Sequence, residues 1–322
     1  MADIIELNRD KEGEINSLSG LTFIHTADIH AVPSAWDRVA QFADHYDNIK
    51  FVLHAGDYCG GSQKKYVDMY SLTSCKKPMY NCVGNHDCYP GDKRWYLGEK
   101  SVTHGLLFNC TDNWDVTFMD IPHPMSYYKD FDNLRLIVLD DYYDVWQTRV
   151  WLRALLKDAF EKGLYVITAQ HETTGYIENT YNCCFYPKDD YNASYRKKEL
   201  ERTEYDYDHR CRVLFEDVIC EFISLGGKFI CNLAGHDHID EFGLTDKGVL
   251  NLAVQNGTTW DAISDITRVA GERSEDCFNV IDADTDKGLL TVIRIGAQYD
   301  KYGRSRKYFV FDFVNKKIVE QQ

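Results

Sequence analysis

The sequence predicts an α/β protein in which two packed β-sheets are flanked by helices, a four-layer αββα sandwich. Apolar runs rich in β-branched residues alternate with amphipathic segments through most of the chain, which is typical of strand–helix–strand units around a parallel sheet. After Gly235 the pattern changes, because the last three strand-like runs follow one another without a long helix between them. We expect this meander to form much of a second sheet that packs on the first.

The first part of the chain contains three strand-like runs that are separated by helical segments. The predicted strands cover residues 21–27, 50–55 and 78–83. A helix is predicted from Ser34, whose hydroxyl suits an N-cap, to about Tyr46, and another over residues 62–73. This order indicates one run of parallel strands.

The same alternation resumes at residue 134. Strands are predicted over residues 134–140, 164–169 and 228–233, and helices over 145–162, which Gly163 closes, and about 208–225. The later strand-like runs cover residues 249–254, 278–283, 289–295 and 307–314.

The domain organisation is predicted from the places where the alternation of strands and helices is interrupted. Residues 1–20 are predicted to be an N-terminal extension, and 21–322 a single domain with a C-terminal β-rich part from about residue 240. Two weakly periodic stretches, about 88–133 and 172–208, are predicted insertions. Loops of that length are usually functional lids or disordered segments, and the sequence leaves this choice open.

The charge of the chain limits its partners. Its 322 residues carry 36 Lys and Arg against 51 Asp and Glu, a formal net charge of −15. This field repels phosphate backbones, so nucleic-acid binding is disfavoured. A small anionic substrate remains compatible with the charge, because bound divalent cations would reverse the sign of the field locally.

The cysteines and the hydropathy indicate a cytoplasmic protein. The 11 cysteines form no Cys-x-x-Cys pair and their number is odd, which favours reduced thiols and argues against a cysteine-held structural zinc. The N-terminus lacks the basic and apolar regions of a signal peptide. No run approaches the ~18 apolar residues of a membrane span, so we expect no membrane contact.

Short histidine and aspartate motifs follow several of the predicted strands. They are Asp28-Ile29-His30, Gly56-Asp57, Gly84-Asn85-His86-Asp87, His171 and Gly235-His236-Asp237-His238. Loops that follow parallel strands meet at one edge of the sheet, so these side chains are expected to converge there. Carboxylate, imidazole and amide ligands favour Mn²⁺, Fe or Zn²⁺. Two such ions could share Asp57 and a hydroxide that attacks phosphorus in line.

The ordered pattern D-x-H, G-D, G-N-H-D, H and G-H-x-H resembles the calcineurin-like metallophosphoesterase superfamily over about residues 21–239. The G-H-x-H ending is closer to the phosphodiesterase and nuclease branch than to the protein phosphatases. The latter carry a longer G-D-x-x-D-R-G motif, whereas residues 56–61 here read G-D-Y-C-G-G.

The resemblance implies a site with two divalent metal ions. Its first ion would be held by Asp28, His30, Asp57 and His238, and its second by Asn85, His171 and His236 together with the bridging Asp57. His86 matches the histidine that contacts the substrate phosphate or protonates the leaving oxygen in this superfamily. Asp87 is expected to orient neighbouring groups.

The function predicted from these residues is metal-dependent hydrolysis of a small phosphomonoester or phosphodiester. Two alternatives remain, a non-catalytic metal-binding scaffold on the same fold and a phosphoprotein phosphatase. A nuclease is disfavoured by the charge of −15. The sequence leaves open the substrate, the metal pair, the oligomeric state and the role of Arg294, Arg304 and Arg306.

Overall fold

A computed structural model of the chain describes residues 3–58, 75–88, 115–121, 125–141, 145–175, 177–180, 207–238, 240–258, 268–298 and 308–322. Within these ranges the strands are β1 Leu21–Thr26, β2 Ile49–His54, β3 Met79–Asn81, β4 Thr117–Phe118, β5 Tyr127–Phe131, β6 Leu134–Val138, β7 Tyr165–Ala169, β8 Ile177–Thr180, β9 Lys228–Ala234, β10 Glu241–Thr245, β11 Leu250–Ala253, β12 Cys277–Asp284, β13 Leu289–Gly296, β14 Tyr308–Asp312 and β15 Lys317–Gln321. The α-helices are α1 Ile4–Leu7, α2 Glu12–Asn16, α3 Pro33–His45, α4 Val145–Lys162 and α5 Tyr207–Ser224. Short 3-10 turns lie at Arg9–Lys11, Asn85–Cys88 and Arg273–Glu275.

The described strands form two mixed sheets, which confirms the predicted fold class. The first sheet has seven strands in the order β15-β14-β13-β12-β1-β2-β3, and the second has eight in the order β4-β5-β6-β7-β9-β11-β10-β8. Strands β1, β2 and β3 are parallel to one another, as are β6, β7, β9 and β11. The parallel strands are therefore divided between the two sheets.

The prediction that the C-terminal meander forms much of the second sheet is wrong. Strand β12 pairs antiparallel with β1, from Leu21 opposite Ala283 to His25 opposite Asn279, and β13 to β15 continue outward from it. All eight residues of β12 are buried, as expected of a strand inside a sheet. The meander completes the first sheet because β1 offers a free side opposite β2, and β12 occupies it.

Several element boundaries differ from the prediction. Helix α3 begins at Pro33, so Val32 stands at the N-cap and makes no side-chain capping bond. Ser34 lies inside the first turn, since the fixed φ of proline suits the first helical position. Strands β10 and β15 were not predicted, and β4, β5 and β8 lie within the stretches predicted as insertions. The predicted helix over 62–73 lies outside the described residues.

The core is divided into layers by the two sheets. Side chains of β1 alternate, so that Phe23 packs between the sheets while Ile24 packs under α3. On the outer face of the second sheet, α4 and α5 cover a separate cluster that includes Leu152 and Phe215. This order of helix, sheet, sheet and helix gives the molecule its four layers.

The N-terminal segment packs against the first sheet and α3. Ile4 and Ile15 are buried there. The Asn8 side chain accepts a hydrogen bond from the Gly296 N–H at 3.1 Å, and that of Asn48 donates one to the Ile15 carbonyl at 2.7 Å. Among the helices that the structure describes, none is long and apolar enough to cross a membrane.

Candidate metal centre

The nine residues predicted for the site all lie in the described part of the chain, at the ends of five strands. Asp28 and His30 follow β1, Asp57 follows β2, and Asn85, His86 and Asp87 form the turn after β3. His171 follows β7, and His236 and His238 follow β9. Because the first three strands belong to one sheet and the last two to the other, the site lies where corresponding edges of both sheets meet.

Four of these residues form one compact group of donor atoms. Asp28, His30, Asp57 and His238 are buried, and their ligand atoms lie within 4.8 Å of one another. The Nε2 atoms of His30 and His238 are 2.9 Å apart, and His238 Nε2 is 3.4 Å from Asp28 Oδ1. The donor atoms of these four side chains therefore surround one point.

A second group forms beside the first and shares Asp57 with it. Asn85 Oδ1 lies 3.1 Å from His171 Nε2 and 3.2 Å from His236 Nδ1. The two imidazole nitrogens are themselves 3.2 Å apart. His171 Nε2 is also 3.4 Å from Asp57 Oδ2. Asp57 is thus common to both groups, the place predicted for a bridging ligand.

The donor atoms fit divalent cations. Asp28 Oδ1 is buried and accepts no hydrogen bond from the described residues, with His238 Nε2 at 3.4 Å, whereas Asp28 Oδ2 accepts the His236 N–H at 2.9 Å. A buried carboxylate oxygen without a partner is costly unless a cation or a donor faces it. The oxygen and nitrogen donors suit Mn²⁺, Fe or Zn²⁺, whereas no described cysteine is in the cluster.

The electrostatics of the site keep its carboxylates ionised. Burial alone would raise the pKa of Asp57, but His171 and the other nearby histidines hold that pKa well below its usual range. Burial likewise opposes ionisation of Asp28, yet His238 and His171 lower its pKa. For His171, burial would lower the pKa, and the carboxylates of Asp57 and Asp28 raise it well above its ordinary value. The two carboxylates are therefore ionised with His171 as a positively charged partner, a place that a bound cation could take.

The backbone at the site adopts an unusual conformation. Asp28, His30, Asp57, His236 and His238 all have φ between 51° and 72°, in the left-handed region. This region is unfavourable for residues with side chains and is found mainly where surrounding structure enforces it, often at functional sites. Here it turns successive side chains after each strand toward the same point.

Gly56, which precedes Asp57, allows His171 to lie close against the backbone. Its φ is 89°, and a Cβ atom at this position would lie 2.7 Å from His171 Cγ and would collide with His171 Nδ1. Any other residue would displace His171 from the second group of donors. The glycine of the Gly-Asp motif therefore makes room for a ligand from the other sheet.

His86 and Asp87 differ in their surroundings. The His86 backbone N–H donates to Asp57 Oδ1 at 2.7 Å, and its side chain is 39 % exposed. Its ring packs edge-on to His30, with centroids 5.0 Å apart. Asp87 is buried, and its Oδ2 accepts the Gly84 N–H at 2.8 Å. His86 thus faces the solvent side of the ligands, while Asp87 holds the turn that carries Asn85 and His86.

Two buried carboxyl groups beside the second group of donors were missed in the sequence. Asp141 follows β6 and Glu172 follows His171, and the Glu172 N–H donates to Asp141 Oδ2 at 2.8 Å. Burial, and then the charge of Glu172, raise the pKa of Asp141 well above its usual range. The sequence contained a signal for Asp141, because the pair Asp140-Asp141 follows a predicted strand as the candidate ligands do.

Arg294, whose role the sequence left open, anchors the loop after His238. Its guanidinium is buried and forms an ion pair with Asp240. The same carboxylate accepts hydrogen bonds from the backbone and side-chain amides of Gln255 at 3.2 and 2.8 Å. Arg304 and Arg306 lie outside the described residues.

Aspartate, asparagine and histidine donors thus lie together at the common edge of two sheets that are flanked by helices. The sequence matches the calcineurin-like phosphoesterase family over residues 21–240, and the chain belongs to that family. Family membership indicates a metal-dependent hydrolase of phosphate esters, and the family binds two divalent metals.

Solved structures share the fold. A dimetal phosphatase from Danio rerio has a TM-score of 0.54 and 12 % sequence identity, over 88 % of this chain and 98 % of its own. A purple acid phosphatase from yellow lupin (Lupinus luteus) seeds has a TM-score of 0.52 and 13 % identity, over 92 % of this chain and 54 % of its own. No curated protein matches the sequence significantly.

Proposed function

We propose that this protein is a binuclear metal-dependent phosphohydrolase that cleaves a small phosphomonoester or phosphodiester. The observation that carries the proposal is the position of Asp57, whose carboxylate lies in both groups of donor atoms. Asp28, His30 and His238 would hold one ion with it, and Asn85, His171 and His236 the other. Two adjacent ions would polarise a phosphate ester and lower the pKa of a water molecule.

The chain's own residues prepare this site before any ion binds. The ionised carboxylates of Asp28 and Asp57 attract divalent cations into a buried setting, where electrostatic interactions are less screened than in water. The Ala55 carbonyl lies 2.6 Å from His171 Nδ1, so the Nδ1 proton is held there and Nε2 is the nitrogen that would bind the second ion once the ion displaces its proton.

His86 is proposed as the group that contacts the phosphate or gives a proton to the leaving oxygen. Its backbone is fixed by the hydrogen bond to Asp57, while its ring is partly exposed on the solvent side of the ligands, where a substrate would approach. A positioned histidine commonly contributes about 10²–10⁴-fold to such proton transfers. Asp87 supports it by holding the turn through the Gly84 N–H.

The proposed substrate is a small molecule, because a net charge of −15 opposes association with polyanions. The motif at Gly56 also lacks the arginine that protein phosphatases carry there, which disfavours a phosphoprotein substrate. We retain Mn²⁺, Fe and Zn²⁺ as candidate ions, and a cytoplasmic location on the basis of the cysteine pattern.

The test is hydrolysis of p-nitrophenyl phosphate and bis-p-nitrophenyl phosphate by metal-stripped protein during a Mn²⁺ titration. Wild type and Asp57→Asn are compared in the same titration. We expect metal-dependent turnover that the variant loses, and the preferred ester separates a monoesterase from a diesterase. Equal turnover by the Asp57→Asn variant would contradict the proposal.

The non-catalytic scaffold predicts a different result in the same experiment. Such a protein would take up ions without hydrolysing either ester. Faster turnover of phosphopeptides than of both small esters would instead favour a phosphoprotein phosphatase.

A further inference from the structure

The two histidines of the second group of donors need opposite protonation patterns. His171 directs Nε2 into the group, with Nδ1 2.6 Å from the Ala55 carbonyl. His236 directs Nδ1 into the group, 3.2 Å from both Asn85 Oδ1 and His171 Nε2. Because a neutral imidazole has one protonated nitrogen, His236 can offer Nδ1 to an ion only when its proton is on Nε2.

The nearest partner of His236 Nε2 is a carboxylate. Among the contacts of the described residues, the one made by this nitrogen is with Glu172 Oε1, at 3.9 Å. This distance exceeds a hydrogen bond, so the inference includes an approach of the two side chains when an ion is bound. Without such a partner, the proton would be drawn to Nδ1, where Asn85 Oδ1 can accept it and where it would block an ion.

Glu172 is held firmly in place. It is 1 % exposed, and its backbone N–H donates to Asp141 Oδ2 at 2.8 Å. It also follows His171 directly, so the loop after β7 supplies both a ligand to the second ion and the acceptor behind another ligand. The backbone of Glu172 is therefore fixed, and burial limits the space in which its carboxylate can move.

We propose that Glu172 is a positioning residue that keeps the proton of His236 on Nε2 and thereby presents Nδ1 to the second ion. A carboxylate behind a metal-bound histidine fixes the ring orientation and makes the ligand more basic, and its loss typically weakens metal binding 10–100-fold. The inference rests on the proposed two-ion site. It adds Glu172, which does not itself reach either group of donors.

The first measurement is a nitrogen-15 spectrum of histidine-labelled protein loaded with Zn²⁺. We expect the His236 Nε2–H proton to resonate downfield and to exchange slowly with water, because it donates to Glu172. In Glu172→Met this resonance should lose its protection. The His171 Nδ1–H, which faces the Ala55 carbonyl, is an internal control and should stay unchanged.

The second measurement is the affinity for each of two Mn²⁺ ions by calorimetry on metal-free protein. Glu172→Met should weaken the second ion 10–100-fold and leave the first unchanged. Glu172→Gln keeps a neutral acceptor and should give a smaller loss. Glu221→Met is the surface control, since Glu221 pairs only with exposed Arg153 among the described residues, and should bind both ions as wild type does.

The outcomes separate this inference from the proposed function. A wild-type protein that takes up fewer than two ions contradicts the two-ion site itself. If wild type binds two ions and both Glu172 variants bind the second ion as tightly as wild type does, the proposed role of Glu172 is contradicted and the two-ion site is not. If Glu172→Met does not fold, Glu172→Gln and the wild-type spectrum decide, and an unprotected His236 Nε2–H in wild type overturns the inference.

Discussion

The backbone at Gly84 lies directly against the carboxylate of Asp57. A Cβ atom added to Gly84 would be 2.9 Å from Asp57 Cγ and would collide with both Asp57 Oδ1 and the Asp57 backbone nitrogen. Asp57 is the residue common to both groups of donors. The glycine of one motif therefore sets the position of the ligand that joins the two halves of the site.

Gly84→Ala is expected to displace Asp57 and to lower turnover by at least about 100-fold, since a displacement of about 1 Å at a reacting centre can cost that much. The measurement is kcat at saturating Mn²⁺. Gly13→Ala is the matched control, because nothing lies within 4 Å of a Cβ at Gly13 in α2. It should keep full activity and stabilise the fold by about 0.5–1 kcal/mol. Equal activity in Gly84→Ala and wild type would contradict the close approach.

His86→Asn should separate ion binding from chemistry. The His86 ring is not among the donor atoms that converge in either group, so the variant should still bind two Mn²⁺ ions. Its turnover should fall by about 10²–10⁴-fold, as expected when a group that transfers a proton is lost. Calorimetry and steady-state kinetics on the same preparation check both parts. Loss of an ion together with activity would make His86 a ligand instead.

The buried pair of Arg294 and Asp240 should matter more for stability than a surface pair. Arg294→Met leaves the Asp240 charge buried without its cation and should destabilise the protein by about 3–5 kcal/mol. Arg153, which is 44 % exposed and pairs with Glu221, provides the comparison. Arg153→Met should cost less than about 1 kcal/mol. Urea denaturation measures the free energy of unfolding of both variants. Similar decreases in the two would contradict the larger contribution of the buried pair.

His54 should make the metal-free protein sensitive to acid. It is fully buried against the rings of Trp36 and Tyr58, and its ring nitrogens form no hydrogen bond with the part of the chain that the structure describes. Burial lowers its pKa from 6.5 to about 3. The unfolded chain takes up a proton below pH 6.5 while the folded protein does not. Stability is therefore complete above pH 6.5 and is lost as the pH falls toward 3, by about 1.4 kcal/mol per pH unit.

The variant His54→Phe tests this account, because phenylalanine suits an aromatic pocket and does not titrate. The free energy of unfolding, measured from pH 7 to 4, should fall less steeply in the variant than in wild type. Identical slopes would show that His54 is protonated in the folded protein as readily as in the unfolded chain.

The sequence was sufficient to predict the elements that carry the site. Helix α4 is observed with the predicted bounds, and the first residues of β1, β2 and β3 are within about one residue of those predicted. These elements are predictable because each has a clear periodicity and ends at a glycine or a polar motif. The strand ends in the sequence also predict that the candidate ligands lie near one another.

The arrangement of the sheets could not be predicted in the same way. Hydrophobic periodicity shows that β12 is a buried strand but does not show which strand it pairs with, and its partner β1 lies far away in sequence. The roles of Glu172 and Arg294 depend on contacts between distant segments for the same reason. A lone buried charge in a strand or loop carries no signal of its partner.

The central claim is that Asp57 joins two metal ions, and the most direct test is electron paramagnetic resonance of the protein loaded with Mn²⁺. The account predicts two bound ions per chain with the signal of a spin-coupled pair, and loss of the coupling in Asp57→Asn. A single bound ion, or two ions that show no coupling in wild type, would contradict it.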